Sequence, residues 1–195
     1  MRSAQINRKT NETDIAIALD LDGVGKSEIA TGCGFLDHML TLFAKHSRID
    51  LMVKCIGDVD VDYHHTTEDI GIALGEAIKT ALGEKKGIKR YGDIILPMDE
   101  TLILCAIDLS GRAFLACDFN IVADKVGDFD VELVEEFLRA FTSNLACNLH
   151  IRQLAGSNAH HIIEGTFKAL ARCIRNAVEV DEKLCGEIPS TKGAL

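Results

Sequence analysis

The chain carries the pattern His-His-x-x-Glu twice, at residues 64–68 and again 96 residues later at 160–164. Histidine and glutamate side chains bind metal ions and carry protons. If each copy opens a helix, its first histidine and its glutamate lie on one face, and its second histidine lies about 100° round the helix. The doubled pattern therefore predicts a duplicated metal site on a duplicated fold. The alternative is that polar residues simply suit two helix N-termini, which explains one copy better than two in matched positions.

The duplication extends beyond the histidines. Three segments of the first half align in order with three of the second: 12–23 with 100–111, 37–40 with 135–138, and 50–53 with 148–151. The first pair is identical at seven of twelve positions. Each half therefore reads as strands, a short helix, a strand and a helix.

Hydrophobic periodicity supports this order of elements. Apolar residues recur at helical spacing after each His-His-x-x-Glu copy, and Gly83 supplies a stop for the first of these helices. Shorter helical stripes cover residues 36–43 and 134–141, and Ile15–Leu21 and Leu102–Leu109 are typical of strands.

No segment rich in serine, glycine or proline separates the two halves, and Pro97 lies near their junction. We therefore expect one α+β domain over residues 1–195. Its halves span about 10–97 and 98–188, and a C-terminal tail covers 189–195.

Composition excludes several classes of protein. With 195 residues and 47% hydrophobic content, the chain can bury a sizeable core. It has no apolar run near the roughly 20 residues of a membrane span and no signal-peptide pattern. A formal charge of −9 argues against broad nucleic-acid binding. The seven cysteines contain no Cys-x-x-Cys motif and suit buried thiols in a reducing compartment, so we expect a cytoplasmic protein.

Longer motifs carry a resemblance along essentially the whole chain. They are Gly-Phe-Leu-Asp-His-Met-Leu at 34–40, Asp-Val-Asp-Tyr-His-His-Thr-Thr-Glu-Asp-Ile-Gly at 60–71, Arg-Tyr-Gly at 90–92, Pro-Met-Asp-Glu-Thr-Leu at 97–102, Asp-Leu-Ser-Gly-Arg at 108–112, the second His-His-x-x-Glu, and Ser-Thr-Lys-Gly at 190–193. In sequence and order these motifs resemble the imidazoleglycerol-phosphate dehydratase family of histidine biosynthesis.

The resemblance implies a fold, an activity and an assembly. The fold would be ribosomal protein S5 domain 2-like, with helices packed between two four-stranded sheets. The activity would be that of a hydro-lyase, a carbon–oxygen lyase that converts imidazole-glycerol phosphate to imidazole-acetol phosphate and water. The family uses two Mn²⁺ ions per active site and forms a homo-oligomer of 24 subunits with sites at subunit contacts. Neither nucleic acid nor membrane is expected as a partner.

The resemblance also implies a set of metal ligands. Carried over position by position, they are His38, His64, His65, Glu68, Glu136, His160, His161 and Glu164. Some family members have histidine where this chain has Glu136, and the internal repeat independently places Glu136 over His38. Mn²⁺ accepts carboxylate oxygen readily. The alternative for Glu136 is a solvated helix residue beside Glu135.

The remaining positions concern the substrate. The resemblance implies that it is bound by Glu12, His38, His46, Arg90, Arg112, Lys168, Ser190, Thr191 and Lys192, with Glu12, His65 and Glu164 as catalytic groups. Guanidinium and ammonium groups suit a phosphate dianion. His46 could instead be a histidine favoured by the helix C-terminus. Because Glu12 aligns with Glu100, the alternative is that glutamate stands at both positions partly for the structure of the turn.

These residues suggest a mechanism. A ring held as imidazolate by two metal ions could expel hydroxide from the attached carbon, giving a diazafulvene that loses a proton to form an enol and then a ketone. Two other classes would also use such clusters. A dinuclear metallohydrolase would release phosphate, and a ferritin-like storage protein would bind many ions per subunit and would have no need of the cations.

Overall fold

A computed structural model describes residues 2–195 of the chain. The first half contains three strands, a helix, a strand and a helix: β1 Ser3–Lys9, β2 Thr13–Asp20, β3 Ser27–Ala30, α1 Gly34–Ser47, β4 Asp50–Gly57 and α2 His64–Leu82. The second half contains β5 Tyr91–Met98, β6 Thr101–Asp108, β7 Phe114–Asp118, α3 Leu133–Leu145, β10 Asn148–Ala155 and α4 Ala159–Val178, with a short hairpin of β8 Lys125–Val126 and β9 Phe129–Asp130 before α3.

The two large sheets have the same topology, which confirms the predicted fold. The strand order is β1-β2-β4-β3 in the first sheet and β5-β6-β10-β7 in the second. In each sheet the first three strands are antiparallel and the fourth runs parallel to its neighbour. The first half means the elements from β1 to α2 and the second half those from β5 to α4. The predicted boundary at residues 97 and 98, which lies at the end of β5, stays a prediction, as does the separate tail. The β8–β9 hairpin and a short 3₁₀ helix at Glu182–Leu184 have no signal in the sequence pattern.

Alternating burial fixes which face of each sheet meets the helices. On β2, Ile15, Ile17 and Leu19 are buried, and the residues between them are half-buried. β6 repeats this alternation with Ile103 and Cys105 among its buried positions. Side chains alternate across a strand, so each sheet turns one apolar face inward. The helices fill the space between the two faces, and none of those described is long and apolar enough to cross a bilayer.

Each helix pair joins the two halves. α1 packs against α4, and α2 packs against α3. α2 also covers the first sheet through β1 and β2, while α4 covers the second through β5 and β6. The His-His-x-x-Glu copies open α2 and α4, as predicted. The core is therefore shared, and a residue on α1 lies close to residues of the other half.

Two glycines on α2 allow a close approach to α3. A Cβ atom at Gly75 would lie 2.6 Å from the carbonyl oxygen of Phe141 and 2.9 Å from the amide nitrogen of Leu145. A Cβ atom at Gly71 would lie 2.8 Å from the carbonyl oxygen of Phe137. These neighbours are backbone atoms and cannot rotate away. Glycine at both positions therefore sets the spacing of the α2–α3 pair.

We expect Gly75→Ala to destabilise the fold although alanine is the better helix former. Overpacking a tight contact costs about 1–3 kcal/mol, which exceeds the gain of about 1 kcal/mol in helix propensity. Urea unfolding followed by circular dichroism measures the change. The matched control is Gly34→Ala at the start of α1, where a Cβ atom meets nothing within 4 Å. If Gly75→Ala unfolds at the same urea concentration as this control, the close approach of α2 and α3 is wrong.

Candidate functional site

The crossing of α1 and α4 brings together three of the predicted ligands. His38 lies on α1, while His160 and Glu164 lie one helical turn apart on α4. The Nε2 atoms of His160 and His38 are 3.0 and 3.5 Å from Oε2 of Glu164. Ligand atoms of all three residues lie within 4.8 Å of one another. Two imidazoles and a carboxylate form a donor set that suits Mn, Fe, Zn or Co.

Glu164 is a buried carboxylate surrounded by positive and protonatable groups. Burial raises its pKa, but the ammonium of Lys168 and the hydrogen bond from His160 outweigh burial and lower it overall. Lys168 Nζ lies 2.6 Å from Glu164 Oε1. The carboxylate is therefore held ionised, with one oxygen on the lysine and the other facing the two histidines.

His46 faces the same helix as His38, two turns further along α1. Its pKa is lowered by burial first and then by the positive charges of Lys168 and Arg172 on α4. A neutral imidazole has one nitrogen with a free lone pair, which can accept a hydrogen bond from a substrate. The sequence allowed either a contact with substrate or a histidine favoured by the helix C-terminus, and the contact of His46 with substrate stays a prediction.

The second predicted cluster opens α2. His64, His65 and Glu68 lie in its first two turns, and the His64 and His65 rings are nearly perpendicular at 6.0 Å between centroids. His65 Nδ1 lies 2.9 Å from Oδ2 of Asp58, and this hydrogen bond raises the histidine pKa. Within residues 2–195 the α1–α4 trio is the one group of three ligand atoms gathered closely enough for a metal ion.

Glu136 shows why the two clusters differ. It is half-buried on α3, the repeat counterpart of α1, and α3 packs against α2. In the α1–α4 pair, an imidazole meets the carboxylate of Glu164. In the α2–α3 pair, the internal repeat puts Glu136 at the position that His38 occupies on α1, so a carboxylate stands at the place of an imidazole.

The His161 ring on α4 is hydrogen-bonded to a glutamate of the β5–β6 turn. Its Nδ1 lies 2.8 Å from Oε2 of Glu100, in the turn between β5 and β6. The hydrogen bond from His161 and then the amide of Asn158 lower the pKa of Glu100 to about 2. The same contact raises the pKa of His161. Sequence reasoning missed Asp58 and Glu100 as histidine partners, although Glu100 was visible as the repeat counterpart of Glu12.

Glu12 has a fixed backbone and a free carboxylate. It lies exposed in the β1–β2 turn, where Thr10 Oγ1 accepts hydrogen bonds from the amides of Glu12 and Thr13 at 3.1 and 3.0 Å. No ion pair or hydrogen bond reaches its carboxylate from any other residue of 2–195. A shallow cavity of about 310 Å³, lined by residues 9–14 and 56–58, contains the turn.

Asp69 fastens this turn to α2. Thr13 Oγ1 donates to Asp69 Oδ2 at 2.5 Å, and Arg8 donates to Oδ1 through Nε and Nη2 at 3.0 and 2.8 Å. Asp69 is buried and directly follows Glu68. Sequence reasoning did not find this network, because its three members come from β1, β2 and α2 and share no motif.

Five of the predicted substrate-binding residues line one cavity of about 430 Å³: Arg90, Arg112, Ser190, Thr191 and Lys192. The guanidinium of Arg90 is committed to Asp108 through Nε–Oδ1 at 2.7 Å and Nη2–Oδ2 at 3.1 Å. Its Nη1 also donates to the carbonyl oxygen of Pro189 at 2.9 Å, which holds the tail. Within residues 2–195 the side chains of Arg112 and Lys192 have no ion-pair partner, so their charge is available to an anion.

Lys168 does not line this cavity. It pairs with Glu164 and contacts the sulfur of Met98 at 3.8 Å. One chain thus presents its candidate residues in three places: the α1–α4 trio, the start of α2 beside the Glu12 turn, and the cationic cavity under the tail. Among residues 2–195, no hydrogen bond or ion pair joins one place to another.

Comparisons with known proteins show which family the chain resembles. The model of the family described as imidazoleglycerol-phosphate dehydratase matches residues 31–174. A relative of that name from Rhodopseudomonas palustris (strain TIE-1) is 57% identical over 195 residues, covering 100% of this chain and 99% of its own length. Another from Desulforamulus reducens is 59% identical over 194 residues, covering 100% of this chain and 98% of its own length.

Solved structures with the same name share the fold. The enzyme from Staphylococcus aureus superposes with a TM-score of 0.84 at 41% identity, covering 92% of this chain and 99% of its own. The enzyme from Pyrococcus furiosus gives a TM-score of 0.85 at 40% identity, covering 97% and 100%. The match in sequence, fold and length shows that this chain belongs to the imidazoleglycerol-phosphate dehydratase family.

Proposed function

We propose that the protein is a manganese-dependent hydro-lyase that converts imidazole-glycerol phosphate to imidazole-acetol phosphate and water, a step of histidine biosynthesis. The names of its relatives support the reaction. The observation that carries the proposal is the gathering of His38, His160 and Glu164 at the α1–α4 crossing. This donor set fits a divalent transition-metal ion, because imidazole and carboxylate together match its preferred ligands.

The proposed metal ligands are the trio, the paired histidines His65 and His161, and the α2–α3 set of His64, Glu68 and Glu136, shared between two Mn²⁺ ions. When bound, a divalent ion supplies positive charge that lowers the pKa of an azole ligand and makes the ring a better electron donor. Among residues 2–195, the ligand atoms of His64, Glu68 and Glu136 are not gathered as closely as those of the trio, which agrees with sites completed by a second subunit.

Glu12 is the proposed proton carrier. Elimination would break the C–O bond next to the ring, releasing hydroxide that leaves as water, and would give a conjugated diazafulvene. The neighbouring carbon then loses its proton to a base, and the resulting enol becomes the ketone. Glu12 has an unbonded carboxylate on a turn fixed by Thr10, Thr13 and Asp69. A group that must reach a carbon-bound proton needs that combination of rigid support and free oxygen.

The cationic cavity is the proposed phosphate site. Arg112 and Lys192 offer unpaired charge there, while Arg90 holds both Asp108 and the tail. Charge-assisted hydrogen bonds to a dianion would fix the far end of the substrate and restrict its motion.

We propose a cytoplasmic homo-oligomer of 24 subunits whose active sites lie between neighbours. The support is geometric. One small substrate must meet the trio, Glu12 and the phosphate cavity at once, yet among residues 2–195 these places share no residue and no hydrogen bond or ion pair joins them. Residues from adjacent subunits can bring them together.

The decisive assay supplies purified, manganese-loaded protein with imidazole-glycerol phosphate and analyses the products. We expect the ketone to form while the phosphate stays on carbon. Removal of divalent ions with a chelator should abolish turnover, and Mn²⁺ should restore it. Release of inorganic phosphate would identify a hydrolase and overturn the proposal.

His160→Ala should lower the amount of Mn²⁺ bound per subunit and weaken the affinity of what remains. The change removes one of the three gathered ligands and leaves Glu164 with His38 alone. Equilibrium dialysis with elemental analysis measures both quantities. His150→Ala is the control, because His150 lies exposed on β10 against Phe114 and outside the trio. Equal metal content in both variants would contradict the assignment.

Glu12→Gln should retain metal and substrate binding while kcat falls by about 10²–10⁴-fold, the usual worth of general acid–base catalysis. The amide keeps the size of the side chain but cannot take up the proton. Steady-state kinetics with parallel measurement of bound Mn²⁺ tests this. Glu28→Gln, an exposed carboxylate on β3, should behave like the wild type. Full activity of the Glu12 variant would remove its role.

Arg112→Met or Lys192→Met should raise KM and weaken inhibition by inorganic phosphate, each by about 10–100-fold, because one charge-assisted hydrogen bond is lost. We expect kcat to change much less. Lys183→Met on the neighbouring 3₁₀ helix is the control, since Lys183 is exposed and does not line the cavity. An unchanged inhibition constant for phosphate in both test variants would place the phosphate site elsewhere.

A further inference from the structure

The second histidine of each His-His-x-x-Glu copy is held at Nδ1 by a carboxylate. Asp58 Oδ2 lies 2.9 Å from Nδ1 of His65, and Glu100 Oε2 lies 2.8 Å from Nδ1 of His161. The two contacts match although the carboxylates do not correspond in the repeat. Asp58 directly follows β4, whereas Glu100 lies in the turn between β5 and β6.

This contact determines which ring nitrogen carries the proton. An ionised carboxylate only accepts hydrogen bonds, so Nδ1 carries the N–H, and in the neutral ring the lone pair is then on Nε2. Metal-binding histidines commonly have such a partner, which fixes the tautomer and the ring orientation. In both histidines Nε2 is therefore the nitrogen that remains free for a metal ion.

Glu100 is itself held firmly. Its Oε1 accepts hydrogen bonds from the amide of Asn158 at 3.1 Å and from Thr101 Oγ1 at 3.0 Å. Asn158 caps the start of α4 by accepting from the amide of His161 at 3.3 Å. One oxygen of Glu100 thus binds the N-cap residue of α4, and the other binds the His161 ring.

We propose that Glu100, and Asp58 in the first half, are positioning residues that aim Nε2 of His161 and His65 at the metal ions. This inference rests on the proposed function, because it assumes that these histidines bind metal. It also explains why the repeat counterparts Glu12 and Glu100 differ in their contacts. The second half uses Glu100 to hold a histidine, while the first half uses Asp58 for that task and leaves the carboxylate of Glu12 free.

The test measures binding of Mn²⁺ alone, with free ion counted by its electron paramagnetic resonance signal. Glu100→Ala should weaken affinity by about 10–100-fold, the usual effect of removing a partner of a metal-binding histidine. Glu100→Gln should lie between this variant and the wild type, because its amide oxygen still accepts from Nδ1 but without charge. Asp58→Ala should weaken Mn²⁺ binding to a similar degree.

Asp99→Asn is the matched control. Oδ2 of Asp99 lies 3.9 Å from Nε2 of His161. Its replacement removes one carboxylate charge from the surroundings of the ring, as Glu100→Ala does, but leaves the hydrogen bond at Nδ1 in place. Asparagine tolerates the positive φ of 50° at this position. We expect Mn²⁺ affinity to stay within about twofold of wild type, since the partner at Nδ1 is intact.

The outcomes separate the two proposals. If wild-type protein binds no Mn²⁺ or makes no ketone, the proposed function fails. If wild type binds and turns over but Glu100→Gln and Glu100→Ala bind as tightly as wild type, the positioning role alone is overturned. Equal weakening in Asp99→Asn would also overturn it, because charge rather than orientation would then explain the loss. If Glu100→Ala does not fold, the Mn²⁺ affinities of Glu100→Gln and Asp58→Ala test the positioning role instead.

Discussion

The structure depends on helices that cross between its two halves. α1 buries its apolar face against α4, and α2 packs against α3 through the glycines at 71 and 75. Neither half can complete its helix layer alone, because each helix has its main helical neighbour in the other half. The same crossing makes the candidate metal site: His38 comes from the first half, and His160 and Glu164 come from the second. Packing and chemistry thus follow from one arrangement.

Charge explains why the two helix pairs are not chemically equal. In the α1–α4 pair, the buried carboxylate of Glu164 is matched by two imidazoles and the ammonium of Lys168. In the α2–α3 pair, the internal repeat puts Glu136 at the position that His38 occupies in the other pair, so a carboxylate replaces an imidazole there. The duplicated fold therefore carries different side-chain chemistry at corresponding positions of its two helix pairs.

The sequence predicted what local spacing can encode. The periods of the four helices, the alternation along β2 and β6, and the pairing of His160 with Glu164 all depend on residues a few positions apart. Asp69 escaped prediction because its partners lie on two strands far away in the chain, and only the tertiary fold brings them together. Asp58 escaped because the loop between it and His65 has no regular period. Lys168 was predicted to bind substrate, and in this structure it pairs with Glu164. Its spacing of four residues from that glutamate was the available signal.

The two copies of the β-turn glutamate show how a duplicated site can acquire distinct roles. Glu100 makes hydrogen bonds through both oxygens, and a carboxylate so engaged is held ionised and cannot readily take a proton. Glu12 has the same place in its own hairpin, but Asp58 has taken over the histidine contact. Its turn stays rigid through Thr10, Thr13 and the Asp69 network. A carboxylate that is not hydrogen-bonded can accept and return a proton, so the free carboxylate of Glu12, unlike that of Glu100, suits the proton-carrying role that we propose for it.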